Sequence, residues 1–330
     1  MRKLMMLSAV LMCMTLLSVS CEEVIEFNGD YSGEKMVLYS CVNPDAGAVM
    51  VSLSRSKFFL SREEGYLDRP LSGADVKMTV GGKPLVLKES PDRRGLYIAD
   101  ADVREGDAVS VEASCAGLAS VSSETVVPKS ADFEILSTYS KIVERNAYVQ
   151  IVEKHFRVRL KDDPSKRDFY RFYIVHRDEE GEMESETALT SDVIFRKTSD
   201  MDLIEGALDG ETCWRVEGIW DDSIFSGEDL ILDFWAEDVM FNGDEMYMYG
   251  SRDVSDVNYH SNYTDWGIGI DTVSEDVYKY ESSLEDYDST MGGLASVFGE
   301  PVCIHSNISG GIGCFGAISP SFRFHDFPEL

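Results

Sequence analysis

Close groups of cysteine and histidine are missing from this sequence. It holds seven cysteines and five histidines in 330 residues, with no CxxC pair. A structural zinc site needs four such ligands, usually two of them at short spacing. The sequence therefore predicts no metal site. The histidines lie far apart along the chain, at His155, His176, His260, His305 and His325.

Basic residues are also scarce. The chain has 30 lysines and arginines against 60 acidic residues, which gives a formal net charge of −30. A protein that binds a phosphate backbone needs a basic surface, so we expect no nucleic-acid partner. Negative charge of this size keeps a surface solvated and could also collect divalent cations.

Familiar catalytic signatures are absent or out of place. Ser54 to Lys57 fits SxxK, but it lies in a strand pattern, and neither SDN nor KTG occurs. Gly311, Gly313 and Gly316 have GxGxxG spacing, yet the chain after them is too short for a dinucleotide fold. We interpret this stretch as a glycine-rich turn. Pairs such as Asp221-Asp222 are expected by chance in so acidic a chain, so no catalytic residue and no cofactor is predicted.

The N-terminus has the layout of a secretory signal. Arg2 and Lys3 precede an uncharged apolar run from Leu4 to Leu17, and small residues lead to Cys21. The run is too short to span a bilayer. This predicts a signal peptide over residues 1–20 and lipid attachment (palmitate) at Cys21, because several acyl chains anchor a protein stably. An ordinary signal peptide with Cys21 as a spare thiol is the alternative.

Residues 21–34 form an acidic, polar segment after this leader. Glu22 and Glu23 come directly after Cys21, and such acidic residues resemble the export signal of some Gram-negative surface lipoproteins. We therefore expect a tether to the outer membrane with the protein facing the cell surface. A merely solvated leader, and the inner face of that membrane, stay open as alternatives.

Residues 35–128 predict an immunoglobulin-like β-sandwich, because short strands alternate with turn signals and no helical period occurs. Asp75 to Val80 and Pro84 to Lys88 predict a hairpin across Gly81-Gly82, since adjacent glycines tolerate the positive φ values of a tight turn. Pro128 marks the predicted end of this domain.

Residues 131–330 predict a larger antiparallel β domain. Phe156, Val158 and Leu160 alternate with basic residues, and Phe169 to Val175 is a continuous apolar run typical of a central strand. Further strands are predicted at Cys213 to Ile219, Leu230 to Ala236, Glu245 to Tyr249 and Trp266 to Val273.

One helix is predicted near the C-terminus. Val277, Tyr280, Leu284 and Tyr287 recur at helical spacing. Thr272 or Ser274 could cap the start near Glu275 and Asp276, and Gly292-Gly293 would end the segment. The fold class is therefore all-β, with a single short helix.

An odd number of cysteines follows Cys21, so the chain is not a disulfide scaffold. Cys41 and Cys115 fall in early and late strands of the first domain and could bridge its sheets, or remain two thiols. The pairing is open for all of Cys41, Cys115, Cys213, Cys303 and Cys314.

All four tryptophans fall in one stretch of the second domain. Exposed aromatic faces stack on sugars or peptide side chains, so a glycan or peptide site is one interpretation; packing in the core is the other. The candidate ligand-binding residues are Trp214, Trp220, Trp235 and Trp266.

Several stretches resemble one known family. Phe298 to Val302 and Ser306 to Gly316 resemble the closing motif of the lipoprotein family catalogued as domain of unknown function 4249. Val51 to Ser56, Gly95 to Tyr97 and Thr125 to Pro128 agree with its N-terminal half. The resemblance implies an outer-membrane lipoprotein, often encoded beside TonB-dependent transporters, with no established catalytic residues.

Together these features predict a lipid-anchored outer-membrane protein that serves as a non-catalytic accessory or ligand-capture module of a TonB-dependent transporter. Two alternatives remain. One is a surface hydrolase of carbohydrates or peptides that uses carboxylates of the C-terminal domain. The other is an adhesin or structural surface protein. The oligomeric state is open.

Overall fold

The computed structural model describes residues 33–57, 69–146, 148–195, 213–224, 229–242, 259–291 and 302–328. This part of the chain is almost entirely β-structure with one α-helix, which confirms the predicted fold class. Several predicted features lie outside the described residues. They are the leader, Cys21 with most of its tether, the strand from Glu245 to Tyr249 and the helix end at Gly292-Gly293. None of the described helices combines the length and hydropathy of a membrane span.

The first half of the strands, in chain order, are β1 (Met36–Val42), β2 (Ala48–Arg55), β3 (Asp75–Val80), β4 (Lys83–Glu89), β5 (Leu96–Asp100), β6 (Ala108–Ser114), β7 (Val121–Val126), β8 (Asp132–Arg145), β9 (Val149–Lys161) and β10 (Phe169–Asp178). The remaining elements are β11 (Met183–Thr187), β12 (Leu189–Thr190), β13 (Trp214–Arg215), β14 (Trp220–Asp221), β15 (Leu230–Asn242), β16 (Tyr259–His260), β17 (Tyr263–Val273), α1 (Glu275–Met291), β18 (Ile312–Ser319) and β19 (Phe322–Phe324). Short 3-10 helices lie at Pro44–Ala46, Val193–Phe195 and Asp222–Ile224.

The first seven strands have the pairing of an immunoglobulin-like sandwich. Neighbours run β1-β2-β5-β4 on one side and β3-β6-β7 on the other, which matches the arrangement of strands A-B-E-D and C-F-G. Alternate residues point inward, so Val49, Val51 and Leu53 of β2 are buried in a first core. The predicted hairpin is confirmed: Val80 lies opposite Lys83, and Gly81 and Gly82 both have positive φ.

The first core also receives a strand from the far end of the chain. β18 pairs in parallel with β1, and its Phe315 and Ala317 are buried in the first core. The prediction of a glycine-rich turn here was wrong. A Cβ on Gly313 would collide with the Leu38 carbonyl oxygen, so this glycine permits two strands to approach closely. The division into residues 35–128 and 131–330 stays a prediction, with this strand as an addition to its first part.

A second core lies between two sheets in the C-terminal part. One sheet runs β13-β12-β15-β9-β8, and the other is the end of the large sheet, β11-β10-β17-β18. Phe156, Val158 and Leu160 of β9 point into this core, and Arg157 points outward, as the alternation predicted. β10 lies between β11 and β17, which confirms the central strand predicted over Phe169 to Val175.

Two strand predictions in this part need correction. β8 is a fourteen-residue strand that was not predicted, because Leu136, Tyr139 and Ile142 are exposed and blur its alternation. The strand predicted over Cys213 to Ile219 was wrong. Trp214 pairs with β12 in one sheet and Trp220 with β10 in the other, so the segment crosses between sheets and cannot be one strand.

Helix α1 confirms the helical period and packs on the large sheet. Val277 is buried in a small third core, and Tyr278 stacks on Phe169 with ring centroids 4.5 Å apart. The Ser274 carbonyl accepts the first helical hydrogen bond, from Tyr278, while its hydroxyl accepts one from the Ala317 amide. Ser274 therefore joins the helix start to β18.

Candidate functional site

A polar cleft lies on the outer face of the large sheet. Its volume is about 510 Å³, and it is bounded by β10, β11, the end of β17 and the segment from Val216 to Gly218. Arg171 and Tyr173 of β10 and Asp271 of β17 form its floor, since Arg171 and Asp271 are directly opposite in the pairing of these strands. The floor is therefore fixed by the register of two central strands.

Tyr173 and Asp271 are held together by a glycine on β17. A Cβ on Gly269 would overlap the Tyr173 ring, so the ring lies against the bare backbone at that position. From there its hydroxyl donates a hydrogen bond of 2.7 Å to Oδ1 of Asp271. Asp271 is only 6% exposed. Burial raises the pKa of its carboxyl, against the opposing effects of the Tyr173 bond and the Arg171 charge.

Arg171 is occupied by helix α1. Its Nη2 lies 2.7 and 2.6 Å from the two carboxylate oxygens of Glu281. Next to this pair, Gly218 approaches the helix so closely that a Cβ would collide with Glu285. The helix thus holds Arg171, the one basic side chain among the described residues that line the cleft, and it borders the segment at the side of the cleft.

The cleft is negatively charged. Glu217 is exposed on its side and Asp271 is buried at its floor, whereas the charge of Arg171 is balanced by Glu281. Glu186 also borders the cleft, but it lies opposite Ile174, so its carboxylate points to the other face of the sheet, where it is 3.7 Å from Nε2 of His176. Partial burial raises the pKa of the Glu186 carboxyl. The arrangement favours a small ligand that carries a positive charge and hydrogen-bond donors.

The four tryptophans do not form one exposed aromatic surface. Trp266 is buried in the second core, and Trp220 packs against that core with its ring 5.0 Å from Phe195. Trp235 is 7% exposed and stacks on His155 at 4.8 Å, and Trp214 belongs to the short strand β13. Their role in ligand binding stays a prediction.

No disulfide joins the cysteines of the described residues. Cys41 and Cys314 lie at the third core, and burial raises the pKa of both thiols to about 12, so they stay protonated. Cys115 packs instead against the first core, so it does not bridge to Cys41. Cys213 is half-buried and Cys303 is exposed.

The cleft residues were missed by the sequence analysis. Arg171 and Tyr173 alternate with the buried Phe172 and Ile174, so one face of β10 is polar. On β17, small residues alternate with Ile268 and other apolar residues. The small residues leave room on one face of the sheet for large side chains from the neighbouring strand. One further group, of three aspartates, could hold a metal ion and is described below.

Residues 22–322 match the family described as Domain of unknown function (DUF4249). The chain belongs to this family. The match covers both large cores, the cleft and β18, so in this DUF4249 protein the cleft lies within the family domain and is not an appended segment. No curated protein matches the sequence significantly.

Proposed function

We propose that this DUF4249 protein is a lipid-anchored accessory protein of the outer membrane that captures a small cationic ligand for a TonB-dependent transporter. The ligand site is the polar cleft on the outer face of the large sheet. The anchor is Cys21, and the family match begins at the next residue. The transporter link is an analogy with the family that the sequence resembles.

The observation that carries this proposal is the charge balance of the cleft. Glu217 is accessible on its side and Asp271 lies at its floor, while Arg171 is neutralised by Glu281. An ammonium or guanidinium group entering the cleft would meet these carboxylates, and the one cation among the described lining residues is already paired. Charge-assisted hydrogen bonds of this kind are about twice as strong as neutral ones.

The same geometry favours capture over hydrolysis. A glycosidase needs two carboxyl groups placed on either side of the bond that is cleaved. Asp271 is buried and accepts hydrogen bonds from the Tyr173 hydroxyl and the Ser321 amide, so its oxygens are already occupied. Glu217 is better placed to bind a cation than to act with Asp271 as an acid and base pair.

Calorimetric titration of the full chain, purified in detergent, with trilysine tests the cleft. We expect Glu217→Gln to weaken binding roughly tenfold, because one charge-assisted contact of about 1.4 kcal/mol is lost. The matched control is Glu124→Gln; Glu124 is exposed and lies outside the cleft, so the change removes the same charge. Equal affinity of the two variants would refute the site.

Parallel titrations with trialanine and with a neutral oligosaccharide separate the other functions. Binding of the oligosaccharide but not trilysine would indicate glycan capture. Cleavage of either probe, abolished by Asp271→Asn, would establish the hydrolase. No binding at all would leave the adhesin or structural role.

The anchor and the transporter are tested separately, in cells. Labelling with a palmitate analogue should mark the wild-type protein and not the Cys21→Ser variant. Affinity purification from gently solubilised outer membranes should then recover a TonB-dependent transporter. If the protein is unlabelled and soluble, the proposed lipid anchor is wrong, but the proposed ligand site in the cleft is unaffected.

A further inference from the structure

Three aspartates meet at one end of the second core. Asp162 follows β9, Asp168 precedes β10, and Asp222 begins a short 3-10 helix after β14. One carboxylate oxygen of each lies within 4.8 Å of the other two. Asp168 and Asp222 are 7% and 4% exposed, and Asp162 is half-buried. Three like charges at such distances repel strongly in a partly buried place.

The backbone fixes this arrangement. The Asp168 amide donates to Oδ2 of Asp222 at 2.7 Å, and the Asp222 amide donates back to the Asp168 carbonyl at 3.1 Å. The Tyr170 hydroxyl lies 3.2 Å from Oδ1 of Asp162 and 3.4 Å from Oδ2 of Asp168. The carboxylates are therefore positioned before any ligand arrives.

A buried hydroxyl beside the group points independently to a ligand. Thr272 is 2% exposed, and its Oγ1 has no hydrogen-bond partner among the described residues. Thr272 lies directly opposite Tyr170 on β17, and with Tyr170 and Asp168 it lines a cavity of about 60 Å³. A buried hydroxyl without a partner costs free energy, which a ligand or its bound water in the cavity would offset.

Three lysines, Lys129, Lys161 and Lys166, line this cavity, and one of them contacts the aspartate group. The Lys166 Nζ lies 2.6 Å from Oδ2 of Asp168, and neighbouring Arg167 pairs instead with Asp221. The Lys166 side chain is 41% exposed, so its ammonium can move into solvent at little cost. With Lys166 in place the three carboxylates retain a net charge of about −2 in their ionised form.

We propose that Asp162, Asp168 and Asp222 bind a divalent cation of the oxygen-preferring class, best represented by Ca²⁺, and that Lys166 is the internal cation it displaces. Ca²⁺ accepts six to eight oxygen ligands in irregular geometry, whereas Mg²⁺ requires a near-ideal octahedron. Carboxylates supply the first ligands, and solvent on the half-buried Asp162 side supplies the rest. The bound ion would join the turn between β9 and β10 to the segment after β14. This site does not depend on the function proposed for the cleft.

The test is calorimetric titration of the chelator-treated full chain, purified in detergent, with CaCl₂, together with its thermal midpoint with and without Ca²⁺. We expect Asp168→Asn and Asp222→Asn each to weaken Ca²⁺ binding by at least roughly tenfold, because one charged ligand is lost. Asp92→Asn is the matched control. Its carboxylate is exposed between β4 and β5 and lies outside this cavity, so the charge change is the same and the site is intact.

Lys166→Gln removes no proposed ligand. It therefore tests the proposal even if an aspartate variant fails to fold. We expect it to tighten Ca²⁺ binding several-fold, since the competing ammonium is gone. Tb³⁺ supplies a local readout: Tyr170 should sensitise its luminescence, and Tyr170→Phe should reduce the emission while calorimetric binding persists. Unchanged affinity in Lys166→Gln, or equal losses in Asp92→Asn and Asp222→Asn, would overturn the proposal.

Discussion

The two cores differ in what they bury. Among the described residues, the buried polar side chains of the first sandwich are Ser40 and Thr125, which carry no charge. Every buried aspartate and histidine lies beyond residue 131: His155, Asp168, His176, Asp221, Asp222, Asp238 and Asp271. Buried ionisable groups destabilise a fold unless they are paired, and they concentrate where a protein acts. We call the first sandwich the scaffold, because both proposed sites lie in the second part.

The strongest test of this contrast removes an apolar side chain from the scaffold. Phe315 is fully buried in the first core although it comes from β18. We expect Phe315→Ala to lower the free energy of unfolding by about 3–5 kcal/mol, because it leaves a large cavity. Denaturant unfolding measures the change. Phe322→Ala is the control, since Phe322 is 43% exposed, and it should cost less than about 1 kcal/mol. Equal effects would remove β18 from the first core.

A smaller effect on stability is expected from a substitution in the cleft of the second part. Gly269→Ala places a Cβ against the Tyr173 ring, so the ring must move and its bond to Asp271 is lost. We expect destabilisation by about 1–3 kcal/mol, the usual range for overpacking, together with weaker ligand binding. Tyr173→Phe removes the same bond without a clash, so a comparison of the two variants in thermal unfolding isolates the steric contribution. A Gly269→Ala protein as stable as Tyr173→Phe would show that the close approach is not needed.

The smallest expected effect is a difference in pH dependence between the two parts. Burial raises the pKa of Asp238 and Asp271 in the folded state, so protonation stabilises the second part. Its stability should rise as the pH falls from 7 toward the unfolded pKa near 4. Amide hydrogen bonds, chiefly from Gly95, lower the pKa of Glu89 in the first sandwich, so that contribution is lost as the pH falls through the folded value.

Hydrogen exchange between pH 7 and pH 3, corrected for intrinsic rates, reports both parts in one protein. Protection in β15 and β17 should increase relative to β3 and β6 as the pH falls. Asp271→Asn should flatten the trend in β17, because the amide does not titrate. Parallel behaviour of the two parts in the wild type would contradict the assigned directions.

Local signals were enough to predict much of the scaffold. The Gly81-Gly82 turn and the alternation along β2 depend on neighbouring residues only, and the helical period of α1 does too. β18 was missed because a glycine in a turn and a glycine under a neighbouring strand look alike in sequence. Only the pairing with β1 distinguishes them.

The cleft could not be predicted for a different reason. Arg171 and Asp271 are far apart in sequence and become neighbours through the register of β10 and β17. The aspartate group has the same origin, since Asp222 reaches Asp168 only because β14 pairs with β10. The four tryptophans lie in one stretch of the sequence, which suggested an exposed binding surface. Trp266 is instead packed in the second core.

The parallel pairing of β1 with β18 also affects how the protein reaches its folded state. Val37 lies opposite Ile312, so the N-terminal sandwich is incomplete until the chain has been made as far as β18. Contacts between such distant positions close slowly and leave a β-edge open in the meantime. During synthesis, the first module made is therefore among the last to finish, and a chaperone that shields strand edges would act on it for longest.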